Sequence, residues 1–191
     1  MKLALGSAQF GMTYGIANSA GRPPEGEIHE ILRIASSAGI DIIDTAPAYG
    51  ESEAVLGQIL KQIDVPWRIV SKIPGLAHKL IFKQDDARMV RHSVEETLTR
   101  LHQSNLYGLL MHNAEDLLSP GGEFLFRELA ELKSQSLVCR VGGSVYKPET
   151  AIEVLGRFPI DLVQLPVNLF DQRATVGGQL KRLKAASVEV H

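Results

Sequence analysis

Ile40-Asp41-Ile42-Ile43-Asp44-Thr45-Ala46-Pro47-Ala48-Tyr49-Gly50 opens on a short apolar run, ends that run with the carboxylate of Asp44, and places a phenol five residues later in a loop. The run is continuous rather than alternating, the pattern of a parallel strand covered on both faces. Five similar runs occupy residues 3–7, 68–72, 106–112, 138–142 and 161–165. Between them the apolar residues take helical spacing. Ile28, Ile31, Leu32 and Ala35 form one stripe, and Leu56, Ile59, Leu60 and Ile63 another. Val90, Val94, Leu98 and Leu101 form a longer one, and Ile152, Leu155 and Phe158 a shorter one. Each stripe is expected to cover one face of a sheet. Pro148 suits the first turn of a helix, and Pro159 sits just ahead of the sixth strand. A βα unit repeated six times reads as α/β with right-handed crossovers, which suits an open doubly wound sheet as well as a (β/α)8 barrel.

Composition narrows the function class. The chain has 191 residues, 45% hydrophobic and 22% charged, with a formal charge of −2. These values exclude disordered, collagen-like and coiled-coil classes. The charge balance lacks the basic excess of a nucleic-acid binder, so no nucleic-acid partner is expected. No apolar run approaches the ~20 residues of a membrane span, and Met1-Lys2-Leu3-Ala4-Leu5-Gly6 is too short for a signal-peptide core. The single cysteine, Cys139, forms no intrachain disulfide and fits a reducing compartment. One cytoplasmic domain over residues 1–191 is the expectation, with the Pro23-Pro24 loop and residues 76–83 as its loose connections.

Polar residues interrupt the apolar runs at one place in each. Asp44 ends the second strand, Lys72 the third and His112 the fourth; Ser144 follows the fifth, and Gln164 lies late in the sixth. In a parallel sheet all these positions fall on the C-terminal rim, where barrel active sites lie. Singly, each has an ordinary reading as a cap, a solvated strand end or a loop hydrogen-bonder. Together they point to one chemistry. A phenol with a pKa of about 10 is a poor proton donor near neutrality. An adjacent ammonium favours the phenolate, and a carboxylate holds the ammonium in place. Tyr49 would then protonate an oxygen that gains charge as hydride reaches a carbonyl carbon. His112 would orient that carbonyl and donate a further hydrogen bond.

The same residues carry a resemblance to the aldo-keto reductase superfamily. Asp44-Thr45-Ala46-Pro47-Ala48-Tyr49-Gly50, with Ser52-Glu53 and Leu56-Gly57, resembles its Asp-Thr-Ala…Tyr-Gly-x-Ser-Glu signature. Val70-Ser71-Lys72 is similar to the strand bearing the family lysine, Met111-His112-Asn113 to the strand-end histidine, and Leu5-Gly6-Ser7-Ala8-Gln9-Phe10-Gly11-Met12 to the first strand. The resemblance implies a (β/α)8 TIM barrel that reduces an aldehyde or ketone with NADPH, or oxidises the alcohol in reverse. It implies Tyr49 as the acid, Lys72 as its pKa modifier, Asp44 as the lysine's partner and His112 as the carbonyl orienter. Ser144 and Gln164 would hold the nicotinamide carboxamide. Val145 stands where the family often has asparagine, and Gly143 where it often has an apolar residue.

Length qualifies that expectation. A barrel of this type typically needs about 250 residues, whereas six βα units end near residue 186 and Val188-Glu189-Val190-His191 reads as the start of a seventh strand. The expected fold is therefore an incomplete (β/α)8 barrel, truncated at the C-terminus, with impaired NADPH binding and turnover. The family's aromatic ring over the nicotinamide and its adenosine-phosphate site would lie in the missing part.

Other features carry less. No Gly-x-Gly-x-x-Gly run supports a dinucleotide fold of the Rossmann type. His29, His78, His92 and His102 lack metal-ligand spacing, so no metal is expected. Phe10 and Tyr14 suit pocket walls or core packing equally, and Cys139 reads as an inert small hydrophobe in a buried strand. Two rival functions are a Schiff-base lyase using Lys72, with Tyr49 as proton shuttle, and a non-catalytic barrel fragment that binds a nucleotide or partner.

Overall fold

The computed structural model describes residues 3–76 and 79–191, so His78 lies outside the described residues. Along the chain run β1 (Leu5–Gly6), α1 (Ala8–Gly11), α2 (Glu25–Ser37), β2 (Ile42–Asp44), α3 (Ser52–Leu60), β3 (Arg68–Ile73), α4 (Gln84–Leu101) and β4 (Leu106–Met111). Then follow α5 (Glu115–Leu118), α6 (Gly122–Ser134), β5 (Val138–Ser144), α7 (Pro148–Arg157), β6 (Leu162–Gln164), α8 (Arg173–Val176), α9 (Gln179–Ala185) and β7 (Glu189–Val190). The seven strands are parallel and adjacent in chain order. The sheet curls until distant strands meet. Gln164 on β6 donates to Asp44 on β2 at 3.0 Å, and Tyr107 on β4 donates to Glu189 on β7 at 2.6 Å. Sequential order and curl make this an incomplete (β/α)8 barrel and exclude a doubly wound sheet.

The helical stripes pack largely as their spacing predicts. Ile28, Leu32 and Ala35 of α2, Leu56 and Ile59 of α3, and Val90, Val94, Leu98 and Leu101 of α4 are buried against the outer face of the sheet, while Ile31, Leu60 and Ile63 are only partly buried and Val55 takes a core place outside the expected stripe. In α7 the buried face is Ala151 and Val154, one residue round from the expected stripe. Ile152, Leu155 and Phe158 are partly buried, and Phe158 stacks on Phe126 of α6 with ring centroids 4.6 Å apart. The end of the connection expected to be loose is anchored: Phe82 is buried and its amide donates to Pro120 O at 2.8 Å.

Cys139 corrects the sequence reading, because it is exposed. Its neighbour Val138 is buried in the outer core. Alternation breaks at this position: Val138 and Val141 both lie in the outer core while Arg140 between them reaches Tyr107 in the lumen, and the Cys139 side chain is left on the surface. A continuous apolar run does not guarantee burial on both faces at the ends of a strand.

Inside the curl, Ile42, Val70, Leu110 and Leu162 from four strands form a separate apolar layer with Tyr107 against it. Beneath that layer, toward the N-terminal strand ends, lies a polar floor. The Arg68 and Arg140 guanidiniums stand 4.6 and 5.5 Å from the Tyr107 ring centroid, and Arg140 Nε donates to the phenol at 3.0 Å. Arg68 also forks onto both carboxylate oxygens of Asp41 at 2.7 and 2.8 Å. Among the described residues no helix is long and apolar enough to cross a membrane.

Candidate active site

Asp44, Lys72, His112 and Gln164 each lie two residues beyond a member of the apolar lumen layer. Side chains in a strand repeat every second residue, so all four sit on the lumen side, one pleat nearer the C-terminal rim. The rim site is therefore the polar layer directly above Ile42, Val70, Leu110 and Leu162.

Lys72 is at the centre of it and is only 2% exposed. Its Nζ donates to both carboxylate oxygens of Asp44 at 2.8 Å, to Thr45 O at 3.1 Å and to the Tyr49 phenolic oxygen at 3.2 Å. It also lies 4.9 Å from the Tyr49 ring centroid. A buried ammonium needs such a shell, since unpaired it would cost several kcal/mol. Because the ammonium donates to the phenol, Tyr49 keeps its own hydrogen for another acceptor.

Tyr49 comes from the loop between β2 and α3, and buried hydroxyls fix that loop. Ser7 Oγ donates to Asp44 O at 2.9 Å, Ser52 Oγ donates to Ser7 O at 2.9 Å, and Thr45 Oγ1 lies 3.2 Å from Ser52 Oγ. His112 follows β4 directly, its amide bonded to Ile73 O at 3.2 Å. Burial lowers the His112 pKa below the ordinary imidazole value, and the Lys72 charge lowers it further, against an opposing pull from Asp44. Its imidazole is thus neutral at pH 7 and able to donate one hydrogen bond.

Ser144 ends β5 directly opposite Gln164 in register. Gln164 Nε2 is engaged by Asp44, while the Ser144 hydroxyl makes no hydrogen bond among the described residues. The Gln164 amide oxygen and the Ser144 hydroxyl together suit a carboxamide, which carries both a donor and an acceptor. Val145, at the position where the family often has asparagine, is buried in the outer core and bonds Gln164 O through its amide at 2.9 Å. The two glycines before Ser144 have a packing reason. A Cβ on Gly142 would fall 1.6 Å from Leu162 O, and one on Gly143 would fall 2.5 Å from the Ala114 Cβ. A cavity of about 610 Å³ opens between β1 and β7, lined by Gly6, Asp44, Gln164, Glu189 and His191 among others.

Other sequence candidates lie elsewhere. Phe10 is packed in the core, while Tyr14 is exposed on the loop after α1. His92 pairs with Glu96 along α4, and His102 contacts Gln58 at 3.2 Å. Among the described residues no cluster of three His, Cys, Asp or Glu side chains is placed to hold a metal. Sequence reasoning missed two contacts: the bond from Gln164 to Asp44, and a buried cluster around Glu53. Glu53 was visible in the motif, but a glutamate in the first turn of a helix gives no sign that it points inward.

A profile of the Aldo/keto reductase family matches residues 2–181. The chain belongs to that family. The chain is 29% identical over 150 residues to D-arabinose 1-dehydrogenase of Saccharomyces cerevisiae, an alignment covering 75% of this chain and 42% of that one. It is also 29% identical over 153 residues to the aldo-keto reductase YhdN of Bacillus subtilis, covering 75% and 44%. The chain thus spans less than half the length of the curated relatives it matches. Among solved structures, an aldo-keto reductase of Pseudomonas aeruginosa superposes with a TM-score of 0.81 at 30% identity, over 98% of this chain and 70% of that one. The glycerol dehydrogenase AKR11B4 of Gluconobacter oxydans shares the fold, with a TM-score of 0.75.

Proposed function

We propose that the rim site reduces a small aldehyde or ketone to the alcohol with NADPH, with Tyr49 as general acid. The observation that carries this reading is the Lys72 ammonium, 3.2 Å from the Tyr49 phenol and clamped by both oxygens of Asp44. Ser144 and Gln164 would hold the carboxamide of the nicotinamide, and the bound dinucleotide supplies the hydride. As negative charge builds on the carbonyl oxygen, Tyr49 gives it a proton, and the neighbouring ammonium stabilises the phenolate left behind. Neutral His112 donates a second hydrogen bond to the same oxygen and fixes its direction. Gln164, by bonding Asp44, ties the carboxamide position to the carboxylate that orients Lys72.

The buried pairing of Lys72 argues against the lyase reading. A Schiff base needs a neutral amine with a free lone pair, whereas four oxygens surround this Nζ within 3.2 Å. The proposal is tested by following NADPH oxidation at 340 nm with a panel of aldehydes and ketones. Tyr49→Phe is expected to lower kcat by about 10²–10⁴-fold with KM unchanged. Full turnover in that variant, or trapping of the carbonyl on Lys72 by borohydride, would overturn it.

A further inference from the structure

We infer that Glu53 is a positioning residue for the Tyr49–Lys72 pair, acting through Ser71 at a site it does not touch. This rests on the reductase reading above. Glu53 is 2% exposed, yet carries a carboxylate. Its Oε1 accepts from Ser71 Oγ at 2.7 Å, its Oε2 accepts from Arg100 Nε at 2.8 Å, and Thr97 Oγ1 lies 3.3 Å from both oxygens. Three elements therefore meet on one side chain: α3, which bears Glu53; β3, which bears Ser71; and α4, which bears Thr97 and Arg100.

Both ends of the proton-donating pair are next to this knot. Tyr49 lies four residues before Glu53, and Lys72 directly follows Ser71. The Tyr49 loop is already held at its start, where Lys72 Nζ donates to Thr45 O at 3.1 Å. The Glu53–Ser71 bond ties its far end to the same strand. Together the two ties set how far the phenol stands from the ammonium. Replacing Glu53 and Arg100 together by apolar side chains of matching volume would give comparable stability, because burying an ion pair is costly, whereas removing Glu53 alone leaves Arg100 and the Ser71 hydroxyl without their acceptor. What the carboxylate adds is direction: a short charged hydrogen bond to one hydroxyl fixes the offset between α3 and β3, as packing alone does not.

The test uses the chain labelled with ¹³C at tyrosine Cζ. It has four tyrosines, and the Tyr49 signal is assigned by its loss in Tyr49→Phe. In Glu53→Gln and in Ser71→Ala the Tyr49 signal is expected to move toward those of exposed Tyr14 and Tyr146, while the Tyr107 signal stays in place. In the same variants kcat should fall roughly 10- to 100-fold with KM for the carbonyl unchanged. An unmoved Tyr49 signal and unchanged kcat beside a lowered melting temperature would overturn the inference and leave Glu53 a purely structural role. If the unsubstituted chain turns over no carbonyl, the reductase reading fails, and the Tyr49 signal alone still decides the geometry. Should Glu53→Gln fail to fold, Ser71→Ala keeps the Glu53–Arg100 pair and carries both readouts.

Discussion

Lys72 is a cation placed where the lumen offers almost no water, and its four oxygen partners are what make that tolerable. Its charge also acts on His112, which burial has already biased toward the neutral form. The folded His112 pKa lies below its unfolded value of about 6.5. Between those two values the unfolded chain binds a proton that the folded chain refuses, so stability rises with pH across that window and levels off above about 6.5. In urea titrations at a series of pH values, His112→Gln should flatten the part of the slope lying just below 6.5. An unchanged slope would show that burial and the Lys72 charge do not together lower the imidazole pKa. The same neutrality predicts that hydrogen-bond donation to the carbonyl survives throughout the neutral range.

The contacts between elements turn on how closely α3 approaches α4. A Cβ on Gly57 would fall 2.1 Å from Arg100 O, so Gly57 lets the two helices touch at the point where Arg100 reaches Glu53. Alanine is the better helix former by roughly 1 kcal/mol, but overpacking costs about 1–3 kcal/mol. Gly57→Ala is therefore expected to lower stability in urea and to reduce carbonyl turnover; a stabilised variant with intact turnover would contradict the close approach. These elements were legible to different degrees in the sequence. The strands followed from continuous apolar runs, most of the α2, α3 and α4 core faces from helical period, and the rim residues from their place at strand ends. The side to which α7 turns did not, because Ala151 and Val154 compete with larger neighbours for the sheet and the helix packs against α5 and α9, which are distant in the chain. Nor did the exposure of Cys139 or the inward turn of Glu53, since both depend on which side chains stand opposite. The Gln164–Asp44 bond joins residues 120 apart and exists only because the sheet curls.

At the scale of the whole molecule, that curl is what turns a row of strand ends into a site. Asp44, Lys72, His112 and Gln164 belong to β2, β3, the end of β4 and β6, and a flat sheet would spread them in a line. Curled over the layer of Ile42, Val70, Leu110 and Leu162, they converge on one patch beside the cavity between β1 and β7. The long central strands β3, β4 and β5 form the middle of this arc, and the two-residue strands β1 and β7 form its edges. The claim on which the account rests is that a buried amine readies the phenol for proton donation while hydride arrives. Single-turnover transfer of deuterium from 4-deuterated NADPH to the carbinol carbon, read by mass spectrometry, measures that step directly. The unsubstituted chain should place the label on the alcohol, and Lys72→Met should slow its appearance by about 10²-fold or more. Equal labelling rates with and without the amine, or no label in the unsubstituted chain, would contradict it.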